Sequence, residues 1–212
     1  EATAARFGEG LSLVTLAGPG GIGKTHMALR FGELHGEDYD GGVWFADLAE
    51  ATSLDGVLRE LARCLGVTLT GMDLEGQIEQ LGHAIAGRGE SLLILDNAEQ
   101  VAGELAACLE VWHRRSGLAL FLVTSQKQLD LEFESVHDVL PLEHSDAIEL
   151  FVDRARRTDP ERQFDDEDRA VVGHVVDRLQ CVPLAVTFAA ARLDRFTPKE
   201  LADRLRARFE AL

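Results

Sequence analysis

The sequence predicts an α/β fold, a doubly wound parallel sheet in residues 1–140 followed by a small helical subdomain in residues 141–212. Three observations predict it. Short apolar runs without polar alternation recur through the first two thirds of the chain, as in strands covered on both faces. Helix-period stretches separate these runs, and strand–helix alternation with right-handed crossovers winds such a sheet on both sides. After Pro141 the apolar residues fall only at helical spacing.

The elements follow in order. Residues 11–17 read as a buried strand running into a glycine-rich turn. The next helix sets Met27, Phe31 and Leu34 on one face. Residues 43–46 form a second strand after the Gly41-Gly42 turn, and Trp44 and Phe45 are expected in its core, not as base-stacking groups. Ser53 opens a helix whose apolar stripe is Leu54, Val57, Leu58, Leu61 and Leu65. Leu74, Ile78, Leu81 and Ile85 mark another, stopped by Gly87 and Gly89. Residues 92–95 are an apolar run ending on Asp96, and the helix after it carries Val101, Leu105, Cys108, Leu109 and Trp112. Residues 119–123 form a strand ending at Thr124 and Ser125, and residues 136–140 read as the last strand.

In the helical part, Ile148, Phe151, Val152 and Ala155 make one stripe, and Val172, Val175, Val176 and Leu179 make a second. Pro183 starts a third helix. Thr197-Pro198-Lys199-Glu200 joins an N-cap, a proline at the first helical position and a capping-box glutamate.

Composition sets bounds on function. A hydrophobic fraction of 46% supports a packed core. With 37 acidic against 21 basic residues the formal charge is −16, so the segment is not expected to contact nucleic acid directly. The densest basic cluster, Arg154, Arg156 and Arg157, reads as a solvated helix face. No apolar run approaches the roughly 18 residues of a membrane span. Cys64, Cys108 and Cys181 stand singly, without CxxC or His/Cys ligand spacing. They read as buried thiols of a reducing compartment, which points to the cytoplasm. The chain opens on Glu1 without a targeting segment and is read as a piece of a larger protein.

Gly18-Pro19-Gly20-Gly21-Ile22-Gly23-Lys24-Thr25 fits GxxxxGK[ST], the phosphate-binding loop of P-loop NTPases. Glycines let successive N–H groups curl toward phosphate oxygens, and the helix opening after Gly23 adds its positive end. Lys24 reaches the β- and γ-phosphates, and Thr25 offers a hydroxyl to Mg²⁺. The motif lies between a strand and a helix, as its chemistry requires. His26, next along, is a candidate phosphate contact whose competing reading is a solvent-facing helix position.

Asp96, delivered by the apolar run before it, is the carboxylate expected to hold Mg²⁺ beside Thr25. Glu99 is a candidate for orienting or deprotonating the attacking water. The alternative leaves Asn97 as an N-cap and Glu99 as a first-turn carboxylate on the helix dipole.

Together these residues resemble the nucleotide-binding domain of STAND ATPases, the NB-ARC or AP-ATPase group, in the form found in bacterial LuxR-type regulators and kinase-fused regulators. The resemblance rests on residues 13–18 running into the loop, Gly42-Val43-Trp44-Phe45-Ala46-Asp47-Leu48, and residues 92–100 with their Leu-Asp-Asn-x-Glu core. It continues in Phe121-Leu122-Val123-Thr124-Ser125, Leu140-Pro141-Leu142, and Val182-Pro183-Leu184-Ala185 running toward Ala189-Ala190-Ala191-Arg192-Leu193. It implies an ATP/ADP-dependent regulatory switch in a larger signalling or transcription-regulating protein. Such a switch is closed with ADP and self-assembles with ATP, so the implied partners are the other domains of the parent chain and a homo-oligomer. The resemblance also implies that Ser125 ends the sensor strand and that Pro183 packs near adenine and ribose.

The chain departs from the family pattern at three places. Gln126, followed by Lys127, stands where the family has arginine, Cys181 replaces the glycine before x-Pro, and the upstream Gly-Arg motif is not in the sequence. A neutral Gln126 implies slow Mg²⁺-dependent hydrolysis. The alternative function is a non-hydrolysing scaffold stabilised by nucleotide. A GTPase is disfavoured because no Asn-Lys-x-Asp stretch is present, and a DNA-driven motor because of the acidic charge balance.

Overall fold

The computed structural model describes residues 3, 7, 11–70 and 73–209. It divides into two compact units, Glu1–Pro19 with Lys24–Val139, and Gly20–Gly23 with Leu140–Leu212.

The first unit is built on five parallel strands in the order β2-β3-β4-β1-β5. They are β1 (Leu13–Ala17), β2 (Val43–Asp47), β3 (Leu92–Asp96), β4 (Leu120–Ser125) and β5 (Glu134–Asp138). Every residue of β1 and β3 is buried, which is what their unbroken apolar runs require. The crossovers carry α1 (Lys24–His35), α2 (Leu54–Leu65), α3 (Leu74–Ala86) and α4 (Ala102–Arg115). Ser53 caps α2 by accepting from Gly56 N–H, and Gly66 closes it in the left-handed region at φ 64°. The core gathers Leu58, Leu61, Leu81, Ile85, Leu93, Phe121 and Trp112. Trp112 is fully buried, and its indole N–H donates to the Ile78 carbonyl at 3.0 Å, so no donor is stranded.

Four local expectations are corrected. The inner face of α1 is Lys24, Ala28, Phe31 and Gly32, while Met27 is 38% and Leu34 62% exposed. Gly32 decides this. A Cβ there would lie 3.0 Å from Ile94 Cδ1 and 3.1 Å from Val43 Cγ1, so the helix approaches the strands through the position that has no side chain. Trp44 and Phe45 are not enclosed, because β2 is an edge strand. Phe45 is 37% exposed, and Trp44 packs half-buried with Arg88 over its ring. The fifth strand lies two residues upstream of its expected span, leaving Leu140 75% exposed. Asn97 stands at the N-cap of a short 3₁₀ turn (Ala98–Gln100) before α4, with Glu99 in its first turn, but it sits in the left-handed region at φ 60° and its side chain makes no capping hydrogen bond.

The second unit holds α5 (His144–Thr158), α6 (Asp166–Arg178), α7 (Pro183–Ala191) and α8 (Pro198–Phe209). Their apolar stripes meet in a core of Phe151, Val172, Val175, Val176, Val186 and Leu193. Asp165 caps α6 through Asp168 N–H. Thr197 and Glu200 form the reciprocal capping box, Glu200 N–H donating to Thr197 Oγ1 and Thr197 N–H to Glu200 Oε2. Gly20–Gly23 cluster with this unit, where Leu184 N–H donates to the Gly21 carbonyl at 3.1 Å. Among the described residues, no helix is long and apolar enough to cross a membrane.

Candidate functional site

In an open parallel sheet, ligands bind beyond the carboxyl ends of the strands, where the strand order reverses. Here β1 has β4 on one side and β5 on the other, with β3 beyond β4. The carboxyl ends of β1, β4 and β3 therefore lie side by side, and each carries polar groups. The register pairs Ala17 with Ser125, and Gly18 N–H donates to the Ser125 carbonyl at 3.3 Å.

The loop after β1 takes conformations that only glycine adopts freely. Gly21 lies at φ 77° and Gly23 at φ 103°. A Cβ built on Gly20 or Gly23 would meet nothing of the described residues within 4 Å, so they leave open space beside the loop backbone. Ile22 is buried. Lys24, only 8% exposed, donates from Nζ to the Gly18 carbonyl at 2.7 Å and the Pro19 carbonyl at 3.1 Å. Among the described residues no carboxylate lies within 4 Å of it.

Across the strand ends, Thr25 Oγ1 stands 2.9 and 3.0 Å from the two carboxylate oxygens of Asp96. Asp96 is 1% exposed. It also accepts from the Thr124 hydroxyl and, at 3.0 Å, from Asn97 Nδ2. No cationic side chain among the described residues pairs with it. Among the described residues its hydrogen-bond partners are hydroxyls and an amide, so no cation of the protein occupies the carboxylate. Hydroxyl and carboxylate oxygens are the hard donors that suit Mg²⁺.

Three neighbours of Asp96 escaped the sequence reading as site residues. Thr124, fully buried at the end of β4, donates to Asp96 and accepts from Asn97 N–H at 3.0 Å. Asn97 Nδ2 bridges Asp96 and Asp47 Oδ1, the latter at 2.9 Å. Asp47 faces Asp96 in register on β2. A signal for Asn97 was available, since Asn is the side chain most tolerant of the left-handed region. Thr124 carried none, because which strand neighbours β3 depends on sheet order.

The remaining candidates are more dispersed. Ser125 is buried, and its hydroxyl accepts from Lys127 N–H at 3.2 Å. Gln126 and Lys127 follow it and are exposed. His26 is exposed on the first turn of α1. Glu99 is exposed on the 3₁₀ turn, and among the described residues no hydrogen bond holds its side chain. Pro183 is the first residue of α7 in the second unit.

The chain has relatives among known proteins. Residues 8–131 match the family model described as AAA domain. A relative from Mycobacterium tuberculosis, Rv0894, is 36% identical over 203 residues, spanning 93% of this chain and 50% of its own. A second protein of that species, named "Putative HTH-type transcriptional regulator Rv0890c", is 34% identical over 196 residues, covering 91% of this chain and 21% of the relative. The chain thus spans half or less of the length of these relatives. Among solved structures, Drosophila ORC bound to DNA has a TM-score of 0.69 at 18% identity over 95% of this chain and 62% of its own. Cdc6p from Pyrobaculum aerophilum has 0.65 at 15% over 91% and 61%. A STAND protein with a tetratricopeptide repeat sensor from Pyrococcus horikoshii has 0.51 at 15% over 82% and 26%. At these identities the structures speak for the fold alone.

Proposed function

Because this chain belongs to the AAA domain family, we propose that it is the ATP/ADP-binding switch domain of a larger regulatory protein of STAND type, with slow Mg²⁺-dependent hydrolysis. One observation carries the reading. Two opposite charges, Lys24 and Asp96, are buried in the same unit, and among the described residues each has only neutral hydrogen-bond partners. Such charges are costly unless they serve ligands of opposite sign, here a polyphosphate and its metal ion.

Lys24 moves its Nζ from the two loop carbonyls to phosphate oxygens, and the open side of Gly20 and Gly23 admits the phosphate chain. Thr25 and Asp96 supply the hydroxyl and carboxylate oxygens of the metal site, held in place by Thr124 and Asn97. Mg²⁺ held by these oxygens would supply positive charge to offset that of the phosphates. Pro183 at the head of α7 is the residue we assign to the base and sugar. The name of the regulator-like relative supports a signalling context. The cytoplasm, the other domains of the parent chain and a homo-oligomer in the ATP state belong to the same proposal.

A second reading, a nucleotide-stabilised scaffold that does not hydrolyse, has its own support. Glu99, the candidate base, is exposed and unheld among the described residues, and Gln126 is neutral. One experiment separates the two. Calorimetry with ADP, ATP and GTP in Mg²⁺ should show adenine nucleotides bound, and single-turnover hydrolysis should be slow but abolished by Asp96→Asn. Absence of adenine-nucleotide binding sinks both readings. Binding without any turnover favours the scaffold.

A further inference from the structure

In the second unit, far along the chain from the phosphate loop, three metal-ligating side chains of different chemistry converge. His144, Asp177 and Cys181 offer an imidazole nitrogen, a carboxylate oxygen and a thiol sulfur, and these donor atoms all lie within 4.8 Å of one another. We propose that His144, Asp177 and Cys181 form a binding site for a borderline divalent transition metal, Zn²⁺ being the best match.

The backbone builds this convergence. Helix α6 ends in a Schellman closure. Cys181 N–H donates to the Val176 carbonyl and Gln180 N–H to the Asp177 carbonyl, both at 2.9 Å. Gln180 and Cys181 both stand in the left-handed region, at φ 54° and 53°. That turn fixes the thiol one helical turn beyond Asp177. Leu142 N–H then donates to the Cys181 carbonyl at 3.2 Å, tying the entry of α5 to the same turn. His144 is the first residue of α5, and its Nδ1 lies 2.6 Å from Asp177 Oδ1. Its ring passes over Gly173, where a Cβ would stand 3.3 Å from Nε2, so the missing side chain makes room for the imidazole. The ligands therefore come from two helices and a capped turn.

The donor set decides the metal. Nitrogen, oxygen and sulfur together suit Zn²⁺, and a hard ion such as Mg²⁺ disfavours the sulfur. Tetrahedral zinc holds its ligand atoms about 3.3–3.8 Å apart, so closure from the observed spread needs side-chain rotations of about 1 Å. His144 and Asp177 side chains are 50% and 59% exposed, so the ion enters from solvent, and water completes the fourth position. Binding replaces the His144–Asp177 hydrogen bond with two metal bonds. The thiol proton and any second imidazole proton leave to solvent as sulfur binds as thiolate. Burial first, then the carboxylates of Asp177 and Glu143, hold the free thiol above its ordinary range. Those same carboxylates make the surroundings favourable for a dication.

The test is a titration of the chain with Co²⁺ as a spectroscopic stand-in, followed by displacement with Zn²⁺. One equivalent of Co²⁺ should produce a thiolate-to-metal charge-transfer band that Zn²⁺ abolishes. Cys181→Ser should lose the band. His144→Ala and Asp177→Asn should weaken Zn²⁺ binding roughly 10–100-fold or more. Cys181→Gly guards against misfolding, because glycine relaxes the left-handed backbone. It should lose the band without a lower melting temperature. The band is also expected to survive Asp96→Asn, which alters only the magnesium site. No band with the wild-type chain, a band that persists in Cys181→Ser, or equal Zn²⁺ affinity in wild type and His144→Ala would overturn the proposal.

Discussion

Thr25 and Asp96, 71 positions apart, meet through a single hydroxyl that lies 2.9 Å from one carboxylate oxygen and 3.0 Å from the other. The first stands on the opening turn of α1 and the second ends β3, with β4 between β3 and the strand that leads to the loop. Everything expected of the site follows from keeping that carboxylate buried and correctly aimed.

Asp96→Asn removes the charge and keeps the shape. The folded chain should persist, with a melting temperature equal to or above wild type, since a buried carboxylate without a cationic partner is itself costly. The stabilisation that Mg²⁺ with ATP gives the wild type should vanish in thermal-shift measurements. A full ligand-induced shift in the mutant would remove Asp96 from the metal site.

Lys24→Ala should weaken ADP binding by roughly 10–100-fold, the worth of about 1.5–3 kcal/mol for a charged hydrogen bond. The Gly18 and Pro19 carbonyls lose a donor, but Gly18 is half-buried and Pro19 exposed, so water can replace it. The fold should therefore hold, as circular dichroism would show beside the calorimetry.

Thr124→Val keeps the volume and deletes the hydroxyl. Asp96 loses a donor and the part-buried Asn97 N–H loses its acceptor. We expect a stability loss of about 1–3 kcal/mol in urea unfolding. Turnover should fall while ADP affinity changes little, and Thr124→Ser should restore both. Unchanged turnover in the valine variant would show that Thr124 does not position Asp96.

Gln126→Arg places a guanidinium at the exposed end of β4. If this is the γ-phosphate position, single-turnover hydrolysis should rise tenfold or more, short of the roughly 10³–10⁵ an arginine finger supplies. ADP affinity should stay within a few-fold. No acceleration would mean that the charge comes from Lys127 or from another chain.

Cys108 is fully enclosed, and burial, with a smaller effect from Glu104, pushes its thiol from 9.0 up to about 12. The unfolded chain releases this proton as the pH passes about 9, and the folded chain keeps it to about 12. The folded state thus binds more protons in that window, and stability falls as pH rises through it. Urea midpoints measured between pH 8 and the alkaline limit should fall less steeply in Cys108→Ala. At neutral pH, a thiol reagent should leave Cys108 unmodified in the native chain.

The sequence by itself determined much of this protein. The loop from Gly18 to Thr25 is a contiguous motif whose glycine, lysine and threonine spacing dictates local backbone and chemistry. Buried strands β1 and β3 announced themselves as apolar runs, and the capping box at Thr197 and Glu200 is a four-residue pattern that its own hydrogen bonds satisfy. Each of these depends on neighbours within one turn or one strand. Tertiary structure decided what depends on which segments become neighbours. The order β2-β3-β4-β1-β5 sets Thr124 against Asp96 and makes Trp44 and Phe45 edge residues. Gly32 turns α1 by admitting Ile94 and Val43, overruling the stripe of Met27 and Leu34. Cys181, expected as a buried lone thiol, instead lies half-buried beside His144 and Asp177, a meeting across 33 positions for the histidine and aspartate. Side-chain spacing along a chain encodes local periodicity, whereas such meetings depend on which segments pack together.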